Sequence, residues 1–374
     1  MSTAATRAFA IVAGGGTAGH VLPAIAVAEA LVEAGHRPDE IHYMGAIRGI
    51  ETRLLPETPF PHTFLDVVGV QRGLSRREVS NNLRFLPKLI AARRRAIRMF
   101  GEMRPRVVVS VGGYASLPAV LAARRVKVPV VVVSYDRFPG RASAAAARRA
   151  AACAVAFEDS PLPRATVTGA PVRRDLLGVD RTADRQAARR ALGLPEDRFV
   201  VAVTGGSQGS GALNGAVASY VASHRDDHGL AVRHVVGERF LDGAGLGFDG
   251  RDGVLHQVIG YESDMASVYA AADVLVGRGG ASTVHEVAVT GTPAVLVPWA
   301  AAAEDHQTAN VRWLADRGAV ELLPEAELER LGALLDELRA DAPRRAALGR
   351  AAHELGELHR GGALAGLVES VALA

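Results

Sequence analysis

Two glycine-rich segments carry much of the chemistry written into this 374-residue chain. Gly14-Gly15-Gly16-Thr17-Ala18-Gly19-His20 and Gly205-Gly206-Ser207-Gln208-Gly209 each follow an apolar run of strand length and open onto a helical pattern. Such turns leave backbone N–H groups at the positive end of a helix dipole, a setting that holds phosphate oxygens. His20 stands where the first loop becomes a helix, so the dipole favours its neutral form, and a neutral imidazole can take a proton from a hydroxyl nucleophile. Further on, Glu286 follows the glycine pair Gly279-Gly280, and Asp305-His306-Gln307 follows a strand-like run. Thr283-x-x-Glu286 also satisfies a capping box, in which the carboxylate would only close a helix N-terminus. His285 reads as exposed helix surface. The twelve histidines are scattered and no D-x-D pair falls in a loop, so neither a metal site nor a cofactor is expected.

The elements that must position these groups alternate. Ala8–Ala13 reads as a strand, His20–Ala34 as a helix closed by Gly35, and Ile41–Met44 as the next strand, a βαβ opening. Val107–Val111 leads into Gly112-Gly113-Tyr114, and Val128–Val133 is the continuous apolar run of a strand buried on both faces. The plan repeats from Phe199–Val203 onward, with strands at Val232–Val236, Val274–Val276 and Ala294–Val297 and a helix at Ser282–Val289. The spacing predicts a first domain over 1–178, a junction around the helical stretch Arg181–Leu192, a second domain over 196–345, and a helical segment over 346–374 that could return to the first domain. A chain of this length with 49% hydrophobic residues can bury two cores.

The single cysteine, Cys153, forbids an internal disulfide, and the apolar start Phe9–Ala13 is too short for a signal peptide, which points to the cytoplasm. No apolar run approaches the roughly 18 residues that span a bilayer. Net charge is only +3, but the window Arg72–Arg106 carries eleven arginines and lysines against two glutamates. Leu83, Phe85, Leu86, Leu89, Ile90, Ile97, Met99 and Phe100 are interleaved with them, which reads as a basic amphipathic helix suited to an anionic membrane surface, or as a solvated helix with a core-facing side. No nucleic-acid motif accompanies these charges.

Gly14, Gly16 and Gly19 fit the dinucleotide pattern G-x-G-x-x-G, yet the next strand ends Tyr43-Met44-Gly45-Ala46, with no acidic side chain to hold ribose hydroxyls. A P-loop is excluded because His20 stands where that motif requires lysine. The ordered set Gly15-Gly16-Thr17-Ala18-Gly19-His20-Val21-Leu22-Pro23, Gly112-Gly113-Tyr114, Gly205-Gly206-Ser207-Gln208-Gly209, Arg278-Gly279-Gly280-Ala281-Ser282-Thr283-Val284-His285-Glu286 and Asp305-His306-Gln307 with Asn310 resembles the MurG glycosyltransferases, from about residue 9 to residue 322. The resemblance implies an α/β protein of two Rossmann-like domains in the GT-B arrangement, their parallel sheets facing a central cleft. It implies an inverting transfer of N-acetylglucosamine from UDP-N-acetylglucosamine to lipid I, peripherally at the cytoplasmic side of the membrane. By the same resemblance Glu286 holds the donor ribose, Ser207 and Gln208 meet the diphosphate region, Gly280, Ala281 and Ser282 line the donor site, His306 and Gln307 read the sugar hydroxyls, and Arg173 lies near the nucleotide. Gly16, Thr17, Gly113 and Tyr114 fall on the acceptor side; His20, from its place at the helix start, and Asp136, from the segment where the pattern breaks, are the catalytic candidates.

The pattern departs from the family after the Val128–Val133 strand. Family members usually read His-Glu-Gln-Asn there, whereas this chain reads Ser134-Tyr135-Asp136-Arg137 in a stretch one residue shorter. Asp136 is a replacement carboxylate and Arg137 a candidate contact for a lipid diphosphate. Ala18, Gly279 and Glu262 are smaller departures. A related GT-B transferase, a sugar-nucleotide epimerase and a non-catalytic nucleotide-sugar scaffold are the alternatives that these departures leave open.

Overall fold

The computed structural model describes residues 7–69, 76–245, 247–301 and 305–374, with the side chains of 76–84 excepted. The chain divides into two compact units, one formed by Met1–Arg174 with Gly361–Ala374 and the other by Asp175–Arg360.

The first unit is built on seven parallel strands: β1 (Ala10–Gly14), β2 (Ile41–Ala46), β3 (His62–Leu65), β4 (Val107–Gly112), β5 (Val130–Ser134), β6 (Ala152–Val155) and β7 (Ala165–Val167). Their order in the sheet is β3-β2-β1-β4-β5-β6-β7. The valine-rich strands β4 and β5 are buried throughout, as strands covered on both faces must be. Helix Arg76–Met103 turns Ala92, Ala96 and Phe100 into this core, a spacing of four that keeps one helical face inward.

The second unit repeats the plan with β8 (Phe199–Thr204), β9 (Leu230–Val235), β10 (Phe248–Asp249), β11 (Leu255–Ile259), β12 (Val274–Arg278), β13 (Ala294–Val297) and β14 (Glu321–Leu322). The order is β10-β11-β9-β8-β12-β13-β14, and only β10 runs antiparallel to its neighbour. Apart from that added edge, both sheets have the doubly wound order, in which the chain reverses direction between β1 and β4 and again between β8 and β12. In open α/β sheets ligands bind beyond the carboxyl ends of the strands at this reversal.

The expected junction at Arg181–Leu192 is corrected by the structure. Helix Arg181–Ala191 belongs to the second unit, because Arg185 and the fully buried Arg189 each donate to Asp273 at 2.7 Å, and Arg181 donates to the carbonyls of Tyr269 and Gly291. The C-terminal segment also divides later than residue 346. Helix Ala342–Arg360 stays in the second unit against helix Ala281–Thr290, and after Gly361-Gly362 the helix Ala363–Leu373 lies in the first, where Glu369 meets His36 at 3.0 Å.

Candidate active site

In both units the candidate loops leave the two strands that flank the reversal of strand order. Gly15–Gly19 follows β1 and Gly112–Tyr114 closes β4; Gly205–Gly209 follows β8 and Gly279–Ser282 follows β12. Two distant pieces of sequence are thereby brought together in each unit.

In the first unit the Gly15–Gly19 loop is held from three sides. Tyr43 donates its hydroxyl to the Gly14 carbonyl at 2.8 Å, and the Tyr135 hydroxyl donates to the Gly19 carbonyl. Glu51, fully buried, accepts from the N–H of Gly16 at 3.0 Å and of Ala46 at 2.9 Å. Nothing in the sequence pattern marks these three residues. The Gly16 N–H therefore faces inward and is spent on Glu51, so this loop offers fewer free donors to an anion than its glycine content suggests. Tyr114 lays its ring against Gly16, where a Cβ would come within 2.5 Å of the ring.

His20 is partly buried, and its Nδ1 lies 3.1 Å from Thr17 Oγ1. In the tautomer that donates from Nδ1 to Thr17, Nε2 carries the lone pair. The imidazole sits against Gly112 and Gly113, both at positive φ, and a Cβ on Gly113 would strike the Gly15 carbonyl. Burial lowers the His20 pKa, while the charges of Asp136 and Glu51 oppose the shift, so the ring is neutral at pH 7. Asp136 thus acts on His20 through its charge. Arg137, by contrast, is turned to Asp159 at 2.5 Å, beside the Phe157 ring, and is not a free cation for a lipid diphosphate.

In the second unit Ser207 and Gln208 are exposed at the tip of their loop, as diphosphate contacts would need to be. The turn is fixed by Gly206 N–H to Thr204 Oγ1 at 3.2 Å and Gly209 N–H to the Gly206 carbonyl at 2.9 Å. Arg278 at the end of β12 is buried and donates to Ser210 Oγ, to Glu325 and to the Val297 carbonyl, tying three loops together. Gly279 departs from the family pattern for a steric reason, since a Cβ there would lie 2.6 Å from Val311.

Helix Ala281–Thr290 starts two residues before Thr283, with Gly280 as its cap, so the capping-box alternative for Glu286 does not hold. Glu286 Oε2 instead accepts the Tyr269 hydroxyl at 2.8 Å, an oriented carboxylate with capacity for further donors. His285 is not surface. It is 1% exposed, with Nδ1 3.1 Å from His359 Nε2 and Trp313 packed against both rings, because helix Ala342–Arg360 covers the side that periodicity leaves to solvent. His306 and Gln307 open helix His306–Ala315, and Gln307 Oε1 accepts the Trp299 N–H at 2.9 Å. Glu262 swings to Arg233 at 2.6 Å. Arg173 lies in the first unit, whereas the other candidate donor residues lie in the second. A cavity of about 670 Å³ in the second unit, lined by Arg181, Asp273 and Pro293, sits at the opposite, amino ends of the strands and is not part of this constellation.

Residues 10–155 match the glycosyltransferase family 28 N-terminal domain and residues 200–359 its C-terminal domain. The chain is 39% identical to the UDP-N-acetylglucosamine--N-acetylmuramyl-(pentapeptide) pyrophosphoryl-undecaprenol N-acetylglucosamine transferase of Nocardioides sp., over 92% of this chain and 93% of the relative. It is 33% identical to the enzyme of the same name from Desulforudis audaxviator, over 97% and 98%. Among solved structures, Acinetobacter baumannii MurG superposes with a TM-score of 0.69 at 27% identity, covering 99% of this chain and 100% of that one. The glycotransferase of kitacinnamycin, at 19% identity and a TM-score of 0.65, shares the fold.

Proposed function

The chain belongs to the MurG N-acetylglucosaminyltransferases of glycosyltransferase family 28, and from that premise we propose that its second unit binds the nucleotide sugar and its first the lipid-linked acceptor. The protein, a GT-B glycosyltransferase, moves N-acetylglucosamine from UDP-N-acetylglucosamine to lipid I, undecaprenyl-diphospho-N-acetylmuramoyl-pentapeptide, and so forms lipid II for peptidoglycan.

In the residue-level reading, an acceptor hydroxyl attacks the anomeric carbon, the bond from that carbon to the diphosphate oxygen breaks, and UDP leaves with the electron pair. The proton passes to Nε2 of His20, whose neutral state at pH 7 and anchored Nδ1 suit a general base. Asp136 steadies the imidazolium that forms. Ser207 and Gln208, with the N-terminal turn Gly280-Ala281-Ser282, receive the diphosphate, Glu286 the ribose hydroxyls, and His306 and Gln307 the sugar. Gly16, Thr17, Gly113 and Tyr114 line the acceptor side, and Arg173 remains a nucleotide-binding candidate by the family resemblance. The enzyme works peripherally at the cytoplasmic membrane face, with the basic helix Arg76–Met103 against anionic lipid; among the described residues no helix is long and apolar enough to cross a membrane.

The observation that carries the donor assignment is the Glu286 carboxylate, held by Tyr269 on the helix that opens at the strand reversal. Glu286→Ala should weaken UDP-N-acetylglucosamine binding in calorimetry by on the order of 100-fold, as hydrogen bonds from the ribose to a charged acceptor are lost. Unchanged affinity would refute the role.

A further inference from the structure

A departing diphosphate needs positive charge beside it, and the loops of the second unit provide little that is uncommitted. Arg278 is spent on Ser210, Glu325 and the Val297 carbonyl. Two N–H groups of the Gly205–Gly209 loop, those of Gly206 and Gly209, close the turn itself.

One cation touches this loop from outside it. Arg239, exposed in the 3₁₀ segment Glu238–Gly243 after β9, donates from Nη2 to the Gly209 carbonyl at 3.4 Å, and its guanidinium lies 4.5 Å from the centre of the Phe240 ring. The segment cannot drift from the loop. Gly237 and Gly209 are both at positive φ and pack backbone to backbone, with a Cβ on Gly237 only 2.7 Å from the Gly209 Cα, and Phe240 closes over Gly209 and Gly211. Among the described residues Arg239 makes no ion pair with a carboxylate, so its charge is uncompensated while its position is fixed.

We infer that Arg239 is a donor-binding residue that contacts the diphosphate of the nucleotide sugar and neutralises it as UDP leaves. The inference rests on the donor assignment above and adds to it a cationic side chain that favours a nucleoside diphosphate over the bare nucleoside. One N–H of the guanidinium stays on the Gly209 carbonyl, and the remaining four are free to donate to phosphate oxygens.

The test is calorimetric titration of the full-length protein and of its Arg239→Met and Arg239→Lys variants with UDP and with uridine. Arg239→Met should weaken UDP about tenfold and leave uridine unchanged, and Arg239→Lys should recover part of the loss. In turnover KM for the nucleotide sugar should rise, with a smaller fall in kcat. Equal loss of UDP and uridine would mean that Arg239 only props the loop, and no loss of either would remove it from the site; both outcomes overturn the inference. If the unaltered protein bound neither ligand, the donor assignment itself would fail, and the inference with it.

Discussion

Tyr269 donates its hydroxyl to Glu286 at 2.8 Å, and in the proposed donor site that one hydrogen bond would hold the helix carboxylate ready for the ribose. A partly buried glutamate with one oxygen fixed by a phenol is preorganised, so under the proposed role a ribose would meet a set geometry without ordering the side chain on binding. Tyr269→Phe should weaken UDP-N-acetylglucosamine about fivefold to tenfold, the scale of one hydrogen bond to a charged group, and leave the thermal midpoint nearly unchanged. An affinity equal to that of the unaltered protein would mean that Glu286 is positioned by its helix alone. Glu286 stands out in the sequence through the family resemblance and its fixed offset from a glycine pair, and its ribose role stays a proposal. Glu51 was not legible, since one of the two backbone N–H groups it satisfies, that of Gly16, is 35 residues away and Glu51-Thr52-Arg53 looks like any polar helix start. Tyr43 and Tyr135 share that obscurity, because their partners are carbonyls that no side-chain pattern encodes.

Helix Arg76–Met103 bears on membrane contact as an element. Leu86 and Ile90 are 60% and 42% exposed, and Arg94 and Arg98 continue the same row four residues apart, so one stripe presents two apolar side chains followed by two cations. Arg95 is directed to the Phe64 carbonyl and Lys88 to Asp66, while Arg72 lies outside the described residues. Replacing Leu86 and Ile90 with serine and Arg94 and Arg98 with glutamine should lower binding to phosphatidylglycerol vesicles at least tenfold, and salt should lower it further in the unaltered protein. Activity on a detergent-solubilised acceptor should persist; vesicle binding equal to the unaltered protein would reduce the stripe to solvated helix. The valine-rich strands were legible as elements because burial on both faces writes an unbroken apolar run. His62–Leu65, Phe248–Asp249, Leu255–Ile259 and Glu321–Leu322 were not, being short or polar strands toward the sheet edges whose pairing is decided by their neighbours. His285 was misread for the complementary reason: a helix packed on two sides shows no polar face to mark the second partner.

Across the whole molecule buried histidines make the fold less stable in acid. Burial lowers His42 of the first unit to about 4, His234 and His256 of the second to about 4, and His359, also in the second, to about 2, while His20 in the first is lowered as well. Unfolded histidine titrates near 6.5, so below that value the unfolded chain binds the extra protons. Stability is therefore complete above about pH 6.5 and falls, as pH drops toward the folded-state values, by up to about 1.4 kcal/mol per unit for each such histidine. Both tryptophans, Trp299 and Trp313, lie in the second unit, which holds three of these groups. Between pH 7 and pH 5 the melting midpoint followed by tryptophan fluorescence should fall further than that followed by far-ultraviolet circular dichroism, and coincident or pH-independent midpoints would contradict this. The most direct test is UDP release from UDP-N-acetylglucosamine by the purified protein, with and without a lipid I analogue, followed by the product mass. Release that depends on the analogue, with the analogue heavier by one N-acetylglucosamine, is the predicted result; nucleotide-sugar binding without transfer to lipid I would contradict the account.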